Sequence, residues 1–221
     1  MKILFFLGLN FTLLACVHPG RADSNKTEFH CEVAPQEFAL SLSTISGKAE
    51  SFLPHVGDKK FENYLSLNLP FAPFSQLNSD IQNQFGNLKN RGEVHITVIT
   101  PPEFDAILSQ KLSMKEINAI AENFKIQDSE VKAVCLGRGD AVLAGIKQST
   151  YFVVLESQSL VELRRQISSA YLAKGGKPHE FDPENYYPHI TIGFSLRDLH
   201  ESDGVKKDKN TCIAQLLLIN K

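Results

Sequence analysis

A tetrapeptide pattern that occurs twice constrains the fold more than any other feature of the chain. Residues 95–98 read HITV and residues 189–192 read HITI. Successive side chains of a β-strand point to opposite faces, so the histidine and the threonine share a face, about 6.6 to 6.8 Å apart along the strand. The aliphatic residues point to the other face, where they can pack on helices. The sequence therefore predicts two strands that each present one imidazole and one hydroxyl on a polar face.

These groups suit chemistry at phosphorus. A histidine has an ordinary pKa of about 6.5, so within a pair a neutral ring can accept a proton while a charged ring donates one. Threonine hydroxyls can donate to anionic oxygens without adding charge. Attack at phosphorus needs a base, an acid and donors for the non-bridging oxygens. We therefore predict that His95 and His189 are catalytic and that Thr97 and Thr191 bind the substrate. The sequence does not decide which histidine is the acid.

The paired motifs resemble those of the 2H phosphoesterase superfamily, which includes RNA 2',3'-cyclic phosphodiesterases, 2'-5' RNA ligase-like proteins and the nucleotide-binding domain of some kinase-anchoring proteins. The segment 64–70, YLSLNLP, is similar to the opening strand of that family, and Pro188 precedes the second histidine, as is frequent there. The resemblance implies an α+β, bilobal fold. Its two antiparallel sheets would face a central groove, with helices outside, one motif on each lobe, and no required cofactor or metal.

The expected activity is therefore hydrolysis of a 2',3'-cyclic phosphate, or of a 2'-5' linkage, on a nucleotide or short RNA end. Aromatic residues beside the second motif are candidates for stacking on a base, above all Tyr187 and Phe194, with Tyr186 as a further candidate. Two other functions stay open. One is a non-catalytic nucleotide-binding module that uses the same groove. The other is a metallohydrolase in which both histidines share a metal with a third ligand such as His179.

The first residues have the layout of a signal peptide. Lys2 is followed by a nearly continuous apolar run to Leu14, which is short for a membrane span. The run ends in Leu-Leu-Ala-Cys, which resembles the bacterial lipobox and makes Cys16 a candidate for lipidation. The alternative is ordinary cleavage after Ala22. Either way we expect export, as a periplasmic or outer-surface lipoprotein or as a secreted protein.

We expect residues 1–15 to be the signal peptide, residues 16–30 a tether, and residues 31–221 one bilobal domain. A membrane would then be contacted only through the lipid anchor. The net charge of −2 argues against a protein that binds long nucleic acid, because such binding needs a basic face. A nucleotide or a short RNA end remains a suitable substrate, and a monomer is expected.

Three cysteines follow Cys16, namely Cys31, Cys135 and Cys212. Because three is an odd number, one thiol stays free or pairs between chains if the other two form a disulfide. The sequence does not assign the pair. No Cys-x-x-Cys and no histidine cluster with metal-ligand spacing is present, so we expect no structural zinc.

Periodicity, capping boxes and glycines predict the remaining elements. Strands are expected over 64–69, 151–156 and 211–220, and helices over 75–88, 113–124 and 159–174, with another helix starting at Glu103. The glycine-rich segment 137–140 is expected to be the turn of a hairpin with strands 130–136 and 141–147. The three lysines at 206, 207 and 209 are expected to lie in a solvated loop.

Overall fold

The computed structural model describes residues 37–41 and 45–219. The strands are Glu37–Ser41 (β1), Leu65–Leu69 (β2), Val94–Ile99 (β3), Lys132–Leu143 (β4), Ile146–Glu156 (β5), His189–Phe194 (β6) and Cys212–Ile219 (β7). The helices are Ala72–Phe85 (α1), Pro101–Ala106 (α2), Met114–Phe124 (α3) and Gln158–Ala173 (α4), together with short 3-10 turns. The α+β class is confirmed.

The strands form two sheets. One has five strands in the order β1-β7-β4-β5-β6, and the other pairs β2 with β3. Neighbouring strands are antiparallel, except that β1 runs parallel to β7. The two motifs lie on different sheets, as the resemblance implied, because the first forms part of β3 and the second part of β6. These two strands approach each other to within 8 Å between Cα atoms.

A core of aliphatic and aromatic side chains holds the motif strands from behind. Ile96, Val98 and Ile190 are fully buried and Ile192 almost so. Helix α4 lies against β3, and α1 lies against β6. Burial of one such side chain contributes about 1.5 to 3 kcal/mol. The alternation read from the sequence is therefore what fixes the direction in which each polar face points.

The hairpin of β4 and β5 corrects the sequence analysis, because its turn is at Ala144 and Gly145 and not at 137–140. Both turn residues have positive φ, at 50° and 78°, as a tight two-residue hairpin requires. The two glycines of segment 137–140 lie inside β4. A Cβ atom at Gly137 would be 2.5 Å from the Phe152 ring, and one at Gly139 would be 2.2 Å from Val205. These glycines therefore serve close packing.

The helix ends follow the capping signals, with one correction. The Ser113 hydroxyl accepts from the backbone of Glu116, whose side chain accepts in return, so the capping box predicted for α3 is confirmed. Thr100 and Glu103 form a second box at α2, where two prolines occupy the first turn. Helix α4 is capped by Ser157, two residues earlier than expected. Its hydroxyl also donates to the Glu130 carbonyl oxygen, at 2.6 Å, which ties the start of the helix to the segment before β4.

A disulfide joins Cys135 on β4 to Cys212 at the start of β7. Cys135 packs with Phe152 and Val154 in a small apolar cluster separate from the main core. Cys31 lies outside the described residues, as do the expected signal peptide, Cys16 and the tether. In the part of the chain that the structure describes, none of the helices is long and apolar enough to cross a membrane.

Candidate active site

The first motif lies in the middle of β3. His95 and Thr97 are half-buried, and the residues between and after them are fully buried, so the alternation predicted from the sequence is observed. The Thr97 hydroxyl has no hydrogen-bond partner among the described residues. It is therefore available to donate to a bound anion.

His95 has a partly open, mixed environment. Its side chain is 14% exposed, and its Nδ1 atom lies 3.7 Å from a carboxylate oxygen of Glu93. The Tyr64 ring is 5.8 Å from the His95 ring, and the His55 ring stacks on Tyr64 at 3.9 Å between centroids. Burial lowers the pKa of His95, and Glu93 opposes that shift.

The second motif begins β6, where the backbone orients the ring of His189. Nδ1 lies 2.8 Å from the Tyr187 carbonyl oxygen. Because a carbonyl oxygen only accepts, Nδ1 carries the proton, and Nε2 of the neutral ring then holds a free lone pair. The Phe152 ring meets the imidazole edge-on, at 6.0 Å between centroids. The geometry thus presents Nε2 as a proton acceptor.

A buried ion pair lies beside the second motif. Lys207 donates to Asp198 at 2.8 Å, and the two side chains are only 3% and 5% exposed. The Thr191 hydroxyl joins the pair. It donates to Asp198 at 3.1 Å and accepts from Lys207 at 3.2 Å. Thr150 on β5 also donates to Asp198, at 2.7 Å. The hydroxyl proton of Thr191 is therefore engaged, unlike that of Thr97.

This cluster changes the electrostatics of the site. Burial, and after it the Lys207 ammonium, lowers the pKa of His189 well below its ordinary value. Burial alone would raise the pKa of Asp198, but Lys207 and the hydrogen bond from Thr150 outweigh it and hold that pKa low. Burial also lowers the pKa of Lys207, against the pull of Asp198. The site therefore favours a neutral imidazole at His189.

Side-chain contacts connect the two motifs. Arg91, just before β3, reaches Asp198 at 3.4 Å and is 43% exposed. The Tyr186 hydroxyl, from the loop before β6, donates to the Thr97 carbonyl oxygen at 3.0 Å. The Asp198 carboxylate acts on the pKa values of both His95 and His189, opposing the effect of burial in each. Both rings are therefore within electrostatic reach of one carboxylate.

Arg164 of α4 fixes the loop before β6. Its fully buried guanidinium donates to the carbonyl oxygens of Val98 on β3, at 2.6 Å, and Pro183, at 3.0 Å. It also forms an ion pair with Glu103, at 2.7 Å. A buried guanidinium offers five donors in a rigid fork, which suits several acceptors at once. One side chain therefore holds β3 and the chain that leads into β6 together.

A β-bulge decides where Phe194 points. Phe194 pairs with Thr150, and Thr191 pairs with Phe152, so one extra residue, Ile192, lies in β6. Cross-strand partners share a face, and Thr150 and Phe152 are on the same face of β5. The bulge therefore puts Phe194 on the same face as Thr191. The Asn78 amide stabilises the bulge by donating to the Ile192 carbonyl oxygen at 2.9 Å.

The other sequence candidates lie in different surroundings. Tyr187 precedes β6, and the Lys206 ammonium lies 4.0 Å from its ring centroid, so a cation already covers one ring face. The Tyr186 ring packs 4.8 Å from the Arg164 guanidinium, which makes it part of the support of the site. His179 is exposed, with φ of 71°, in the loop before the second motif.

Asp198, Arg91 and the role of Lys207 were not predicted from the sequence. The expectation that Lys207 lies in a solvated loop was wrong, because it is buried against Asp198; Lys206 and Lys209 are exposed, as expected. No local pattern marks Asp198 or Lys207, since their partners come from three separate segments. For Arg91 the sequence offers only a weak indication of a role in the site, namely that it is a cation four residues before His95.

Among residues 37–41 and 45–219, no group of three or more histidine, cysteine, aspartate or glutamate side chains is arranged to hold a metal ion.

Comparison with known proteins gave one match. A family model described as Swiss Army Knife, 2H phosphoesterase domain, matches residues 63–200, which is more than half of the chain and includes both motifs. Searches of curated proteins and of solved structures gave no match.

Proposed function

Because the chain belongs to the 2H phosphoesterase family, we propose that it hydrolyses the 2',3'-cyclic phosphate of a nucleotide or a short RNA end. A 2'-5' linkage is the other bond we expect it to open. Membership of the family makes the protein a phosphoesterase-type hydrolase; the substrate, the cyclic phosphate and the mechanism are our proposal.

One observation carries the proposal. The two His-x-Thr pairs lie on β3 and β6, strands of different sheets that approach each other to within 8 Å between Cα atoms. Each pair is on the half-buried side of its strand. Hydrolysis of a phosphodiester by this mechanism needs one base, one acid and donors for the non-bridging oxygens, all in reach of one phosphorus atom. We assign the roles of base and acid to the two histidines and the role of donors to the Thr97 hydroxyl and Arg91.

The surroundings of the two rings support a division of labour. His189 accepts a proton from water at Nε2, since its Nδ1 proton is held by the Tyr187 carbonyl oxygen. The water oxygen bonds to phosphorus as the bond to the ribose oxygen breaks, and His95 donates a proton to that oxygen. Burial lowers the pKa of His95, and Glu93 opposes that shift by favouring the charged form of the ring. The Thr97 hydroxyl and the half-exposed Arg91 contact the non-bridging oxygens.

The direct test is a screen of the purified chain against 2',3'-cyclic nucleotides, 2'-5' linked dinucleotides and ADP-ribose cyclic phosphate, with chelator present. We expect turnover of a cyclic phosphate that the His95→Ala, His189→Ala double variant lacks. Equal turnover by that variant would refute the proposal. Tight binding of a nucleoside monophosphate, measured by calorimetry, without any product would favour the binding module. Loss of all activity on chelation would favour a metallohydrolase.

We also propose that the protein is exported as a monomer, with lipid on Cys16 and no contact with long nucleic acid. The support is the apolar run that ends in Leu-Leu-Ala-Cys and the net charge of −2. Mass spectrometry of the N-terminus decides between lipidation at Cys16 and plain cleavage after Ala22. An N-terminus that still carries Lys2 would refute both forms of processing.

A further inference from the structure

We propose that Asp198 and Lys207 are positioning residues of the second motif, with Asp198 orienting the Thr191 hydroxyl and Lys207 holding the His189 ring in its neutral, proton-accepting form. The kinetic part of this inference rests on the proposed function. The structural part does not depend on it, because the ion pair and its contacts with Thr191 stand whatever the substrate is.

Asp198 accepts from Thr191 and Thr150, and Lys207 donates both to Asp198 and to Thr191. The hydroxyl of Thr191 therefore has one defined donor direction and one defined acceptor direction. A threonine side chain on an open strand face would be free to rotate its hydroxyl. The Asp198–Lys207 ion pair removes that freedom and holds the Thr191 hydroxyl oxygen beside the Lys207 ammonium.

A buried ion pair costs desolvation energy and often adds nothing to stability compared with apolar residues of similar size. Such a pair beside a motif strand thus points to a role in the site. The loop that carries it is anchored on both sides, since Leu199 is fully buried and Val205 is 4% exposed. Val205 lies where a Cβ of Gly139 would be, so the glycine on β4 allows this loop to approach the sheet.

The Lys207 ammonium also lies 5.5 Å from the Phe152 ring, whose edge contacts His189. The groups that act on His189 are, after burial, Lys207, the Tyr187 carbonyl oxygen, Asp198 and His200. Lys207 and His200 oppose the charged ring, and Asp198 favours it. Among the charged groups, Lys207 has the largest effect on His189, so the removal of its charge is the most direct test of the inference.

The test follows the His189 ring by NMR, in the full chain, as the pH is lowered from neutral. In the wild type we expect the ring to stay neutral at about pH 5.5. In Lys207→Met we expect it to take up a proton at higher pH than in the wild type, because the opposing charge is gone and Asp198 remains. Lys207→Arg keeps the charge and should titrate like the wild type. Lys209→Met removes an exposed lysine of the same loop and should change nothing.

Activity is measured on the same set. We expect kcat/KM of Lys207→Met to fall about 10- to 100-fold at neutral pH, because the Thr191 hydroxyl loses one of the two hydrogen bonds that orient it. The acidic limb of the pH profile should move to higher pH, because His189 loses the opposing charge. Lys207→Arg should rescue both effects. Thermal unfolding of each variant checks the fold. If Lys207→Met does not fold, the Asp198→Asn, Lys207→Met double variant leaves no buried charge unpaired and gives the same reading, with a smaller upward shift.

The outcomes distinguish the role of Lys207 from the proposed hydrolysis of a cyclic phosphate. A His189 titration that is the same in wild type, Lys207→Met and Lys209→Met, with all three folded, would overturn the inference, even if a cyclic phosphate is hydrolysed. A shifted titration in a protein that hydrolyses none of the tested esters would sustain the role of Lys207 and count against the proposed function alone.

Discussion

The two motifs share their first three residues and differ in almost everything around them. The motif on β3 has a histidine next to an exposed glutamate and a threonine whose hydroxyl has no partner in the described part of the chain. The motif on β6 has a histidine with one ring nitrogen engaged and a threonine whose hydroxyl is held by Asp198 and Lys207. The sequence motif selects the functional groups. The loops around it decide the protonation and the donor direction of each group.

The largest effect is expected from the histidines. We predict that His95→Ala and His189→Ala each lower kcat by about 10² to 10⁴-fold, because each removes one proton transfer. Steady-state kinetics at several pH values gives the measurement. The double variant should be little worse than the poorer single variant, since acid and base act as one unit. Losses that simply multiply would show that the two rings act independently.

Arg164 tests whether one side chain joins the two halves of the site. Arg164→Met leaves the carbonyl oxygens of Val98 and Pro183 without their donor and Glu103 without its charge partner. We expect the free energy of unfolding to fall by about 3 to 5 kcal/mol, measured by denaturant titration. Arg165→Met is the matched control, because the Arg165 side chain is exposed to solvent, which screens its ion pairs and makes them contribute little to stability. Equal losses in the two variants would contradict this role.

The two threonines are expected to differ in role, with Thr97 contributing to substrate binding and Thr191 also contributing to stability. We predict that Thr97→Val lowers kcat/KM about 10- to 100-fold, the worth of one hydrogen bond to a charged group, and leaves stability unchanged. Thr191→Val should also lower the free energy of unfolding, by about 1 to 2 kcal/mol, since Asp198 and Lys207 both lose a partner. Kinetics and thermal unfolding are measured on both variants. Equal free energies of unfolding for the two valine variants would contradict the proposed difference between the two threonines.

The sequence was sufficient to predict the features that depend on local pattern, namely strand faces and helix starts. Alternation placed His95 and Thr97 on one face of β3, and the capping box at Ser113 located the start of α3. The hairpin turn was misplaced because the glycines at 137 and 139 looked like turn residues, whereas their lack of a Cβ accommodates Phe152 and Val205 from distant parts of the chain.

The sequence was insufficient for what depends on contacts between segments. The Asp198 carboxylate is contacted by side chains from the segment before β3, from β5, from β6 and from its own loop, so no spacing along the chain predicts the cluster. The bulge at Ile192, which turns Phe194 to the face of Thr191, depends on a partner in α1, namely Asn78. A pattern of period two cannot indicate where that period is interrupted.

The smallest expected effect is a pH dependence of stability that differs between the motifs. The pKa of His189 is lowered on folding, so below its unfolded value of about 6.5 the unfolded chain binds the extra proton and the folded chain does not. Stability due to this group is therefore complete above about pH 6.5 and is lost as the pH falls toward the folded value, by at most about 1.4 kcal/mol per pH unit. Denaturant titrations between about pH 5 and 7 measure it, a range above that in which carboxylates titrate.

We expect His189→Gln to flatten this dependence. His95→Gln should flatten it less, since Glu93 offsets part of the effect of burial at His95. His55 and His200 also have lowered pKa values and remain present in all three proteins, so each comparison reports the change at His189 or His95 together with its coupling to the nearby histidine. If His95→Gln flattened the curve as much as His189→Gln, the buried pair beside β6 would not distinguish the two imidazoles. The difference between the motifs would then be one of hydrogen bonds alone.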